Sequence, residues 1–80
     1  MCCLYVLLNK EGNRTYTGIT DNLDKRIVQH NKGHSKFTSK FGPWRLIYFE
    51  IINNRTDARK KEKYFKSAAG RRWMKINIFE

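Results

Sequence analysis

Two β-type runs lie so close together in this chain that only a turn can join them. Leu4 to Leu8 is the first, Thr15 to Ile19 is the second, and Lys10-Glu11-Gly12-Asn13 between them has the composition of a chain reversal. A parallel pair needs a crossover of about a dozen residues or more, so these strands must form an antiparallel hairpin. Gly18, inside the second run, permits a close backbone approach. Thr20, Asp21 and Asn22 are each good helix caps. Behind them Leu23, Arg26, Ile27 and His30 fall at i, i+3, i+4 and i+7, one continuous helix face, and Gly33 ends the helix. A face made only for packing has little use for an arginine and a histidine in line with leucine and isoleucine.

The remainder reads as support for that hairpin and helix, with one further acid. His34 to Phe41 is a short basic stretch holding Lys36 and Lys40, expected to make a helical turn, and Gly42-Pro43 breaks the chain. Trp44 to Ile52, rich in aromatic and branched residues, is the clearest strand. Asn53-Asn54 is a turn, and Asn54 or Thr56 caps a helix spanning roughly Asp57 to Ala69. Ala58, Glu62, Phe65 and Ala69 share one stripe of it, so Glu62 is an acid on an apolar face, which is costly unless a partner meets it. Ala58, one turn earlier, offers none; Lys66 and Arg59 are at pairing distance along the helix. Gly70 is expected to break the chain, and Arg71 to Phe79 to form a last helix or short strand. Trp44, Phe49, Phe65, Trp73, Met74 and Ile76 are expected in the core. The order β-β-α-β-α-α over residues 1–80 predicts a single α/β (α+β) domain whose helices cover a three-stranded sheet.

Eighty residues, 40% hydrophobic and 14% aromatic, suffice for one small core. A net charge of +10 points to a polyanionic partner, nucleic acid first, with a basic ribosomal-type domain as the plainer alternative. Cys2 and Cys3 are adjacent and point to opposite faces of a strand, so they neither pair nor share a metal. The lack of a disulfide framework predicts a cytoplasmic protein. The apolar opening MCCLYVLL is too short to span a bilayer, so no membrane is expected.

Cys3-Leu4-Tyr5, ten residues, then Tyr16-Thr17-Gly18 resembles the paired tripeptides of the GIY-YIG nucleases. The segment ITDNLDKRIVQHNKG is similar to that family's helix with an arginine and, four residues on, a histidine. Arg55 to Lys66 resembles its glutamate segment, and GRRWMKIN its ending, where Asn77 stands for the family's asparagine. Two departures exist: Cys3 replaces the first small residue, and Thr17 is the middle residue of the second tripeptide. The resemblance covers nearly the whole chain and is to the short stand-alone members. It implies a three-stranded antiparallel sheet and an endonuclease that uses a divalent cation, Mg²⁺ or Mn²⁺, with Tyr5, Tyr16, Arg26, His30 and Glu62 as catalytic residues and Glu62 as the metal ligand.

The chemistry suits those residue types. Phosphodiester hydrolysis needs an activated water and neutralised phosphate charge. Arg26 offers a forked donor pair to a phosphate. Tyr5 or Tyr16 would activate the water, helped by a neighbouring cation because a phenol of pKa about 10 is a weak base at neutral pH. His30, one turn from Arg26, would take that proton or orient the tyrosine. A single carboxylate argues against a two-metal mechanism. Lys25, Lys36, Lys40, Lys60, Lys63, Arg71 and Arg72 are the expected phosphate-binding cations, for DNA with RNA as a further candidate, and substrate choice is expected to rest on nucleic-acid structure (nicks, branches, single strands) or on a protein partner. A non-catalytic nucleic-acid-binding module of the same fold is the alternative; it would bind without cutting and has no need of Glu62.

Overall fold

The computed structural model describes residues 1–12, 14–33 and 40–78. His34, Lys36 and most of the basic stretch before Gly42, with Phe79, lie outside the described residues. Strand β1 (Cys2–Asn9) is buried at every position, because it is the middle strand of a three-stranded sheet of order β2-β1-β3. Strand β2 (Thr15–Thr20) and strand β3 (Trp44–Ile52) both pair with it antiparallel. The turn between β1 and β2 is closed by the Asn9 side chain, which accepts from the Arg14 amide at 2.9 Å, and Gly12 takes a φ of 74° that few side chains tolerate.

Successive residues of β1 serve opposite layers, as strand pleating dictates. Leu4 and Val6 pack with Phe65 and Met74, while Tyr5 and Leu7 pack with Trp44, flanked by Leu23 and Ile27. Helix α1 (Leu23–Asn31) therefore covers one face, and helices α2 (Arg55–Phe65) and α3 (Ala68–Asn77) cover the other. Each such buried side chain contributes about 1.5–3 kcal/mol. Asn22 caps α1 by accepting from the Lys25 amide, and Asn54 caps α2 by accepting from the Asp57 amide. Asn31, at the end of α1, grips the start of β3 through both ends of its side-chain amide. It accepts from the Trp44 amide at 2.7 Å and donates to the Trp44 carbonyl at 3.2 Å.

Three expectations are corrected. The helix foreseen from Asp57 to Ala69 is two helices, because Lys66 ends α2 and the Ser67 hydroxyl caps α3 by accepting from the Gly70 amide. Gly70 does not break the chain; it lies buried in the first turn of α3, where a Cβ would overlap the Tyr64 carbonyl oxygen. Phe49 and Ile76 are not core residues, being 53% and 57% exposed. Cys2 and Cys3 are buried and free, and no described helix is long and apolar enough to cross a membrane.

Candidate active site

Tyr5 and Gly18 face each other across the β1–β2 ladder, and this pairing builds the site. A Cβ at position 18 would lie 2.6 Å from the Tyr5 hydroxyl oxygen and 2.8 Å from Cζ. The tyrosine ring thus occupies the room the glycine leaves and carries its hydroxyl across β2. The close approach foreseen at Gly18 is made by a side-chain ring, not by a backbone.

Helix α1 brings two side chains to that hydroxyl. His30 Nε2 lies 2.8 Å from it, and Arg26 Nε donates to it at 3.3 Å. Arginine is a permanent donor, so the phenol oxygen accepts from Arg26, while the direction of its bond with His30 Nε2 is set by the tautomer of the imidazole. The Arg26 guanidinium is steadied by Gln29, whose Oε1 accepts from Nη1 at 3.2 Å, and it also bonds Tyr16. The imidazole of His30, 2% exposed, sits with its centroid 4.5 Å from the Tyr16 ring. Tyr5 and Tyr16 stack at 6.3 Å. The face Leu23, Arg26, Ile27 and His30 is thus turned onto the sheet. Burial pushes Tyr5 above the ordinary tyrosine value, Arg26 pulls the other way, and the nearby charges of Tyr16 and Glu62 reinforce the rise. The bond to Tyr5 in turn raises Arg26.

Glu62 comes from α2, on the other side of β2, yet its charge acts on Tyr5. Its side chain is 21% exposed, and Oε2 pairs with Lys66 Nζ at 3.2 Å. The stripe it was expected to share holds for Ala58 and Phe65, both buried, but Ala69 belongs to α3 and is exposed. Among the described residues no group of three or more His, Cys, Asp or Glu side chains is placed to hold a metal ion. A divalent cation here would have the Glu62 carboxylate as its protein ligand, with substrate oxygens and water completing its shell, a donor set that fits Mg²⁺ or Mn²⁺. Asn77, the last residue of α3, is exposed and donates to the Trp73 carbonyl of its own helix at 2.9 Å.

Two clefts flank this cluster. One, of about 400 Å³, is lined by Thr20, Asn22, Lys25, Arg26, Gln29 and Arg55 among others. The second, of about 350 Å³, is lined by Thr15, Tyr16, Thr17, Lys66, Arg71 and Met74 among others. Of the expected phosphate-binding cations, Lys25 and Arg71 line these clefts. Lys40, Lys60, Lys63 and Arg72 are exposed but line neither, and Lys36 lies outside the described residues. Sequence reasoning missed Arg55 and Lys66 as cleft cations and Gln29 as the anchor of Arg26. Gln29 had a signal, its i+3 spacing from Arg26; the approach of Arg55 to the start of α1 had none.

The family model described as the GIY-YIG catalytic domain matches residues 1–77. A UPF0213 protein of Clostridium perfringens is 44% identical over 64 residues, covering 79% of this chain and 68% of the relative. A UPF0213 protein of Staphylococcus saprophyticus is 31% identical over 74 residues, covering 91% of this chain and 89% of the relative. A structure-specific endonuclease subunit SLX1 homolog of Giardia intestinalis is 40% identical over 50 residues, which are 59% of this chain and 14% of that protein. The solution NMR structure of a UPF0213 protein from Bacillus halodurans aligns with a TM-score of 0.56 at 31% identity, over 95% of this chain and 82% of that one.

Proposed function

This chain belongs to the GIY-YIG family, and from that premise we propose that it hydrolyses phosphodiester bonds in DNA with the help of one divalent cation. The observation that carries the proposal is the Tyr5 hydroxyl, held between Arg26 at 3.3 Å and His30 at 2.8 Å with the Glu62 charge nearby. A bound cation would neutralise charge on the phosphate and lower the pKa of a coordinated water. Glu62 supplies the carboxylate for it. Arg26 supports the scissile phosphate with the guanidinium edge not engaged by Tyr5 and stabilises charge as it builds on phosphorus.

Tyr5 carries the proton. Its own proton leaves to solvent by way of His30 Nε2, and the phenolate oxygen takes one from the attacking water as the new P–O bond forms and the bond to the leaving oxygen breaks. That transfer restores the phenol, and the leaving oxygen takes its proton from solvent. Tyr16, half-buried and bonded to Arg26, orients that guanidinium and borders the substrate path. The Giardia relative is a structure-specific endonuclease subunit homolog, which supports a structured substrate and a protein partner for this chain as well.

The test is cleavage of plasmid, single-stranded and branched DNA in Mg²⁺ or Mn²⁺ by wild type, Glu62→Ala and Arg26→Ala, each shown to be folded by circular dichroism. Metal-dependent cutting that both variants lose is expected. Binding by all three proteins without scission on any substrate would replace this reading with that of a binding module.

A further inference from the structure

The two clefts meet at the catalytic cluster. Arg26 lines the first and Tyr16 the second, and these two side chains bond each other. Beyond Arg26 the first cleft presents Lys25 and Arg55. Beyond Tyr16 the second presents Lys66 and Arg71, with the threonines Thr15 and Thr17 along β2. Lys66 is also the partner of Glu62. Lys25 and Arg55 therefore share the first cleft with Arg26, and Lys66 and Arg71 share the second with Tyr16.

We propose that the second cleft is a phosphate subsite of the substrate strand: Lys66 and Arg71 take the phosphate on one side of the scissile bond, and Lys25 and Arg55 take the one on the other. This rests on the hydrolytic reading above. It differs from a diffuse basic surface because it assigns sides. The exposed Lys60, Lys63 and Arg72 line neither cleft and have no fixed phosphate to meet. Phosphate contacts position a strand without reading its bases, so these four cations set where the chain cuts along the backbone, not which sequence it prefers.

Binding and register test this separately. Fluorescence anisotropy with a labelled DNA duplex, in EDTA so that no scission occurs, gives affinity against salt for wild type, Lys66→Gln/Arg71→Gln, Arg55→Gln and Lys60→Gln/Lys63→Gln. Each lost phosphate contact lowers the slope of log affinity on log salt by about 0.9. The subsite predicts a fall for the first two variants, additive when they are combined, and little change for Lys60→Gln/Lys63→Gln. An unchanged slope for Lys66→Gln/Arg71→Gln overturns it. For register, single methylphosphonates are placed on either side of the mapped cut. Lys66→Gln/Arg71→Gln should become indifferent to neutralisation on one side and Arg55→Gln on the other; indifference to the same phosphate in both overturns the assignment of sides. If wild type binds with the expected slopes but cuts nothing, the hydrolytic reading fails while the anion subsite stands.

Discussion

Replacing Gly18 with alanine places a methyl group inside the space that the Tyr5 ring occupies, so it tests the geometry of the site with one carbon atom. The new Cβ would stand 2.6 Å from the tyrosine oxygen and 2.8 Å from Cζ, against an ordinary contact of 3.4 Å or more, so the hydroxyl must retreat by roughly 0.8 Å. The ring has little freedom to do so, being 1% exposed and bonded to His30 and Arg26. Overpacking of this kind costs about 1–3 kcal/mol, and in a domain of this size each kcal/mol lowers Tm by roughly 4–8 °C. Displacement of a catalytic oxygen by about 1 Å costs on the order of 100-fold in rate. Urea unfolding and cleavage kinetics of Gly18→Ala should show both losses. Tyr5→Phe removes the nearer of the two clashing atoms, so Gly18→Ala should cost measurably less stability in that background. Wild-type stability and activity for Gly18→Ala, or an identical cost in the Tyr5→Phe background, would refute the claim that Gly18 is there to seat Tyr5.

Tyr5 titrates above the usual tyrosine value of about 10, so if it carries the proton the cleavage rate should climb close to tenfold per pH unit from neutral to mildly alkaline conditions. Tyr5→Phe should lose at least about 100-fold in rate and flatten the pH–rate profile. Asn31→Ala leaves the buried Trp44 amide without its 2.7 Å acceptor and should cost about 1–3 kcal/mol in urea unfolding, with Asn31→Asp, which keeps an acceptor, losing less. Glu50 accepts from Lys61 at 2.7 Å and from the Tyr48 hydroxyl at 2.9 Å, and the Lys61 bond holds its carboxyl below the ordinary range. Because the folded pKa is the lower one, this stabilisation is complete above the ordinary carboxylate range and fades as the pH falls through the folded value. The pair is partly exposed, so Glu50→Gln should cost under about 1 kcal/mol at pH 7, and its urea midpoint should fall less steeply on acidification than that of wild type.

The hairpin, the capped helix and the third strand were legible because each rests on local chemistry: a turn too short for a crossover, an asparagine cap, a run of branched and aromatic residues. The site residues on α1 were legible for the same reason, since a 3.6-residue period puts Arg26 and His30 on one face whatever surrounds the helix. What failed depends on neighbours distant in sequence. The break at Lys66-Ser67 hides inside a good helix-forming stretch, and only the fold of α3 back onto α2 gives Gly70 a contact to make. Phe49 has the composition of a core residue, but it stands on an edge strand and is half-exposed. The second role of Gly18 became visible only once the register set it opposite Tyr5. Arg55 joins the first cleft through tertiary contacts that no local pattern announces.

The central claim is that Tyr5, Arg26, His30 and Glu62 form one hydrolytic unit. Its most direct test is single-turnover cleavage of end-labelled branched DNA in Mn²⁺, comparing wild type with folded Glu62→Gln and Tyr5→Phe and with an EDTA control. The account predicts a discrete scission product from wild type, none in EDTA, and a loss of 100-fold or more in both variants while DNA binding persists. Scission that survives EDTA, or that both variants carry out at the wild-type rate, would contradict it.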